Sequence, residues 1–165
     1  MTIGYQLKDI AVEIDDLILD ANNYRLRNGH EHEEVSDSKM ETDNMQKEVQ
    51  RLLAKQKLGD LKESIKQNGF LEVDRIVVRQ SSASQKLIVI EGNRRTAAFK
   101  SLILDDKEHR LQLGENLKKK SKDINVVLIS GSPEQIASYS STLMGIRHVS
   151  GLIWPLKSRH RGLVD

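Results

Sequence analysis

Cysteine is absent from the 165 residues, which removes disulfides, thiolate metal sites and a cysteine nucleophile and suits a reducing, cytoplasmic setting. No stretch approaches the roughly 20 apolar residues that span a bilayer. The opening residues MTIGYQLKDIAVEIDD lack the basic-then-apolar order of a secretory leader, so no membrane contact is expected. Internal repeats are also missing, and low complexity is confined to Lys118-Lys119-Lys120. What is present is a globular balance, 38% apolar and 30% charged, in a length that suits one compact domain with a sizeable core.

The formal charge of +2 conceals an asymmetry. The first 50 residues hold five Lys/Arg against twelve Asp/Glu, net −7, which leaves 21 against 12, net +9, for residues 51–165. A positive field over the second part attracts phosphate-bearing partners, nucleotide and nucleic acid alike.

Apolar alternation at Ile10, Val12 and Ile14, followed by Leu17, Ile18 and Leu19, predicts one or two short strands within residues 6–19. Asp20 to Arg27 reads as a loop. Asn28 to Asp43, with HEHEE and no apolar period, reads as a mobile excursion. Helical spacing resumes at Met45, Val49, Leu52 and Leu53 and again at Leu58, Leu61 and Ile65, and Asn68-Gly69 supplies a C-terminal stop. Arg75 to Arg79 is a β-branched strand, QSSASQ its turn, and Lys86 to Glu91 a second strand apolar enough to be covered on both faces. Asn93 to Leu104 is predicted helical, Asp123 to Ile129 a strand, and Ser132-Pro133-Glu134-Gln135 opens a helix with a capping box.

The junction of the second strand and the helix, KLIVIEGNRRTAAFKSLIL, is the chemically informative stretch. A helix that starts directly after a buried strand leaves its first N–H groups without intrahelical acceptors, and its dipole places about half a positive charge there. Gly92 permits a sharp turn and close approach by a ligand, Asn93 can cap, Arg94 and Arg95 bring two guanidinium forks, and Thr96 adds a hydroxyl. Ala97 and Ala98 let the helix pack closely on the sheet. The pattern predicts a phosphate-binding corner; a helix start with two solvated arginines is the alternative.

The words EGNRRTAAFKSL resemble the GERRxRA-type box of the N-terminal domain of ParB, the partition protein, within the ParB/sulfiredoxin superfamily. Upstream, LGDLKESIKQNGFLEVDRIVVR is similar to the ParB pattern of a helix ending in Gly, an apolar pair, a Gln or Glu and a strand. Downstream, LMGIRHVSGLIWP stands where partition proteins carry a third nucleotide-contacting motif. The resemblance covers about residues 6–155. It implies an α+β fold, a small mixed sheet flanked by helices, over residues 1–155 with a flexible insertion at 28–45, and 156–165 would begin a truncated C-terminal segment. It also implies a nucleotide site, for CTP with a divalent cation such as Mg²⁺ or for ATP. Phe70, Leu71 and Glu72 would lie beside base or sugar, Gly92, Asn93, Arg94, Arg95 and Thr96 would hold phosphates, and Arg147 and His148 would close the third side. In the central box Asn93 replaces the acidic residue and Ala97 the second arginine. Met144-Gly145 stands in place of the Glu-Asn pair that helps hold the metal in partition proteins, and the catalytic cysteine of sulfiredoxins has no counterpart.

Glu72 and Glu91 flank the pocket and are the candidate catalytic carboxylates, which keeps a nucleotide hydrolase, a phosphotransferase or a nuclease open as enzyme readings. No metal site is expected. His30 and His32 among Glu31, Glu33 and Glu34 read as a solvated loop, and Trp154 as an anchor for the tail. Lys118, Lys119, Lys120 and Lys122 form a basic loop and Arg159 and Arg161 a second cluster, either of which can contact DNA backbone. The chain ends just past that cluster, as a fragment of a longer protein would, and the sequence-reading helix-turn-helix of partition proteins does not follow. The expectation is a nucleotide-binding switch in a DNA-associated protein, with homodimer formation; a nucleotide-independent DNA-binding adaptor is the further alternative.

Overall fold

The computed structural model describes residues 4–26, 33–70 and 75–142. In chain order these form strand β1 (Tyr5–Val12), a 3-10 turn (Ile14–Asp16), β2 (Leu17–Ile18), a second 3-10 turn (Tyr24–Leu26), and helices α1 (Asp37–Met40), α2 (Asp43–Ala54) and α3 (Leu58–Asn68). There follow β3 (Ile76–Gln80), β4 (Leu87–Glu91), α4 (Asn93–Lys107), α5 (Glu115–Lys120) and β5 (Ile124–Gly131), and a helix α6 runs over 133–142. The chain divides into two compact units, Gln6–Ser130 and Met1–Tyr5 with Gly131–Asp165.

The larger unit is an α+β fold. Its five-stranded sheet has the order β1-β5-β3-β4-β2, with β3 antiparallel to β4 and parallel pairing of β3 with β5 and of β2 with β4. Leu87, Ile88 and Val89 are all buried, so both faces of the inner strand β4 are covered and neither needs to be polar. Helix α4 packs against α3 and α2 and buries Ala97, Ala98, Phe99 and Leu102. Its Phe99 stacks on Phe70 with ring centroids 4.6 Å apart, closing the core just beyond the end of α3. That end is set by Gly69, which adopts φ 80° and donates its N–H to the Ile65 carbonyl at 2.8 Å.

The smaller unit carries the predicted capping box at the start of α6. Ser132 N–H donates to Gln135 Oε1 at 2.8 Å and Gln135 N–H to Ser132 Oγ at 3.2 Å, and Tyr139 makes an edge contact with Tyr5. None of the described helices is long and apolar enough to cross a membrane.

Two segments differ from the sequence reading. Within the expected excursion, Ser36 caps α1, Met40 is fully buried, and Thr42 caps α2. Asp37 grips the β3–β4 hairpin: it accepts from Arg79 Nη2 at 2.7 Å and Nη1 at 2.8 Å, and from the Ser82 N–H and hydroxyl at 2.8 and 2.9 Å. Glu41 accepts from the hydroxyls of Ser81 and Ser84 in the same turn. These partners lie about 40 residues away in sequence, so the apolar period carries no sign of them. The second difference is at Lys118 to Lys120, which stand in helix α5 instead of a loop. Leu117 is buried on the inner face of the helix, and its cationic end complements the dipole.

The Arg79 guanidinium holds the Asp37 carboxyl well below its ordinary value of 3.8. The stabilisation is therefore fully present above about pH 4 and is lost as pH falls further. Asp37→Asn should lower unfolding free energy by about 2 kcal/mol at pH 7, because Arg79 and Ser82 lose a charged acceptor. Urea titrations at pH 7 and pH 3 check this: the gap between wild type and variant should narrow at the lower pH.

Candidate phosphate-binding corner

Strand β4 ends at Glu91, and Gly92 turns the chain into α4 with φ 99° and ψ 19°. Only glycine adopts that conformation without strain. A Cβ at Gly92 would meet Ile76 Cγ1 at 3.0 Å and Ile76 Cα at 3.4 Å. The missing side chain thus lets β3 approach the turn, whereas the sequence reading assigned that space to a ligand.

Asn93 is buried and is the first residue inside α4; the cap position is Gly92, with no side-chain capping bond. Its amide bridges two other segments, accepting from Asp20 N–H and donating to the Val89 carbonyl, both at 2.9 Å. Thr96 is fully buried, and its hydroxyl donates to the Gly92 carbonyl at 2.8 Å. The side chains of Asn93 and Thr96, expected to face phosphate, here hold the corner together. Phe70 likewise lies in the core against Phe99.

The two arginines occupy the first turn of α4, both half-buried. Arg94 donates from Nη2 to the Gln56 carbonyl at 2.6 Å, at the junction of α2 and α3. Gln56 in turn donates from Nε2 to the Arg25 carbonyl at 3.1 Å. No periodicity announces these contacts, since both acceptors are backbone carbonyls remote in sequence. Glu91 is half-buried at the end of β4, opposite Val77, where the β3–β4 register shifts. Further along α4, burial pushes Lys100 down to about 8, against the opposing pull of Asp15 and Asp16.

Glu72 and Leu71, together with Arg147, His148, Arg159, Arg161, His30 and His32, lie outside the described residues. Among the described residues no group of three or more His, Cys, Asp or Glu is placed to hold a metal. In and beside α5, Lys118 stands 3.8 Å from Glu115 and 3.9 Å from Asp106, and Lys122 stands 3.7 Å from Glu13. Such solvent-screened pairs are weak, so a polyanion would displace them at little cost.

The close approach of Gly92 to Ile76 yields a direct test. Gly92→Ala should lower the unfolding free energy by roughly 2 kcal/mol, from strain at positive φ and overpacking together. Thermal unfolding followed by circular dichroism reads it; a neutral substitution would mean that the turn relaxes.

Comparison with known proteins adds to this geometry. The model of the ParB N-terminal domain matches residues 20–117, more than half of the chain. The matched span runs from the Asp20 loop into α5 and includes the whole β4–Gly92–α4 corner. No curated protein and no solved structure matches the chain. The corner is therefore carried on a recognised frame, and the chain belongs to the ParB N-terminal domain family.

Proposed function

We propose that this domain binds a nucleoside triphosphate, CTP or ATP, at the β4–α4 corner, with Mg²⁺ as companion ion, and acts as a nucleotide switch in a DNA-associated protein. The observation that carries the reading is the placement of Arg94 and Arg95 in the first turn of a 15-residue helix that starts directly after a positive-φ glycine. A helix start of this kind offers N–H groups and dipole to an anion, and guanidinium groups add charge-assisted, bidentate contacts. The family match over the same residues supports it. Nucleotide occupancy would set the C-terminal segment for homodimer formation or for clamping on DNA. The lysines of α5 would add a sequence-independent attraction to phosphates.

Glu91 supports a second reading. A half-buried carboxylate one residue before Gly92 is close enough in sequence to the corner to serve as a base or metal ligand for hydrolysis. Turnover by wild type that Glu91→Gln abolishes while binding survives would establish an enzyme.

Titration calorimetry with CTP, ATP and GTP, with and without Mg²⁺, tests the switch reading. Arg95→Ala should weaken nucleotide binding by about 1.5 to 3 kcal/mol with the fold retained. Arg94→Ala should lose both affinity and stability, because it also releases the Gln56 carbonyl. Absence of heat with every nucleotide at millimolar concentration would reject the proposal.

A further inference from the structure

Three lysines, one just before β4 and two from α4, gather on the 3-10 turn at Ile14–Asp16. Leu17 pairs with Leu87, so Lys86 stands beside Asp16; its Nζ donates to the Asp15 carbonyl at 2.9 Å and lies 3.7 Å from the Asp16 carboxylate. Lys107 comes from the end of α4 to 3.9 Å from the Asp15 carboxylate. Lys100 stands on the same side of that helix, since seven residues make almost two turns. It differs from the other two. Lys100 is half-buried and makes no ion pair or hydrogen bond with the described residues, yet its Nζ still reaches solvent. The charges that act on it are those of Asp15, Lys86, Asp16 and Lys107.

We infer that Lys100 is a modification site for acyl phosphates, whose phosphate group is met by Lys86 and Lys107. The amine nitrogen attacks the acyl carbonyl carbon and forms the C–N bond of an amide. The bond from that carbon to the bridging oxygen breaks, its electron pair leaves with the phosphate, and the nitrogen gives its surplus proton to water. Such a step needs a neutral amine. Burial lowers the pKa of Lys100 from 10.5 to about 8, with Lys86 and Lys107 acting in the same sense and Asp15 and Asp16 against it. At pH 8 about half of the amine is then neutral, against about 0.3% at the ordinary value. Weaker basicity returns part of that gain, which leaves an excess of about 10-fold over an exposed lysine. Each flanking ammonium has three donors, so Lys86 keeps two after its bond to the Asp15 carbonyl. The contacts of both with the carboxylates are long and solvent-screened, and a phosphate displaces them at little cost. Asp15 and Asp16 keep the net charge of the cluster small, which suits a brief encounter followed by reaction. The inference is independent of the nucleotide reading of the corner.

Mass spectrometry of the full wild-type chain after treatment with acetyl phosphate reads the acetylation rate at each lysine. At pH 8, Lys100 should react about 10-fold faster than the exposed Lys47 and Lys55. Its rate should level off above about pH 9, where the amine is already neutral. Excess inorganic phosphate should slow Lys100 by about 3-fold or more, by competition for Lys86 and Lys107, and leave Lys47 and Lys55 unchanged. With p-nitrophenyl acetate, which carries no phosphate, the preference for Lys100 should remain and the response to inorganic phosphate should vanish. Acetylation of Lys100 no faster than that of Lys47 and Lys55 would overturn the inference, as would a rate at Lys100 that keeps rising steeply beyond pH 9. A preference for Lys100 that inorganic phosphate leaves untouched would overturn the part given to Lys86 and Lys107, and with it acyl phosphates as the substrate class.

Discussion

A buried carboxamide sits where three segments of the larger unit meet. Asn93 joins the start of α4 to the end of β4 through the Val89 carbonyl and to the loop after β2 through Asp20 N–H. Each of those backbone groups would otherwise be a polar atom in a part-buried place, which costs far more than an average hydrogen bond returns. An aspartate there would accept from Asp20 but could not donate to Val89 without a proton, and its charge would sit in a place only 3% exposed. A neutral side chain with one donor end and one acceptor end satisfies both. The strand, the turn and the helix are thereby fixed relative to one another before any ligand is considered.

The same solution recurs around the unit. Gln46 brackets Leu19, accepting from its N–H and donating to its carbonyl, both at 2.9 Å. Asn22 brackets Val35 in the same way at 2.8 and 2.9 Å. Gln50 donates to the Ala97 carbonyl at 2.8 Å, and Gln56 reaches Arg25. The described residues between β2 and α2 include no strand, so their backbone groups cannot find partners in a ladder. Amide side chains supply the partners instead, several of them from α2 and the first turn of α4. The irregular segment is thus held by the elements around the candidate site, and the site in turn borrows its rigidity from that segment.

Local signals in the sequence were legible because their physics is local. A continuous apolar run fixed β4 as an inner strand, Asn68-Gly69 ended α3, and Ser132 with Gln135 closed a capping box three residues apart. The family was legible too, since the words around Gly92 are distinctive. Individual side-chain roles were not. Asn93 and Thr96 carry polar groups suited to phosphate, and nothing in spacing distinguishes a hydroxyl that faces an anion from one that returns to a carbonyl four residues earlier. The anchoring of α1 was hidden for a related reason: Asp37 and Glu41 look like solvated acids until the hairpin that they grip is brought beside them. A lysine run likewise reads as a loop when a single buried leucine, Leu117, is all that marks the inner face of its helix.

Arg94 illustrates why a residue in a helix's first turn can carry a structural contact as well as charge. A guanidinium that already holds a backbone carbonyl has lost part of its rotational freedom in the folded protein, so less entropy remains to be lost when an anion arrives. The same bond makes its removal ambiguous, because a lost contact at the corner and a released carbonyl at the α2–α3 junction have a common origin. Residues that act in two places at once are where stability and binding cease to be separable, and additivity fails between them. For Arg94 this follows from one donor–acceptor pair: the Nη2 to Gln56 bond ties the α2–α3 junction to the first turn of α4.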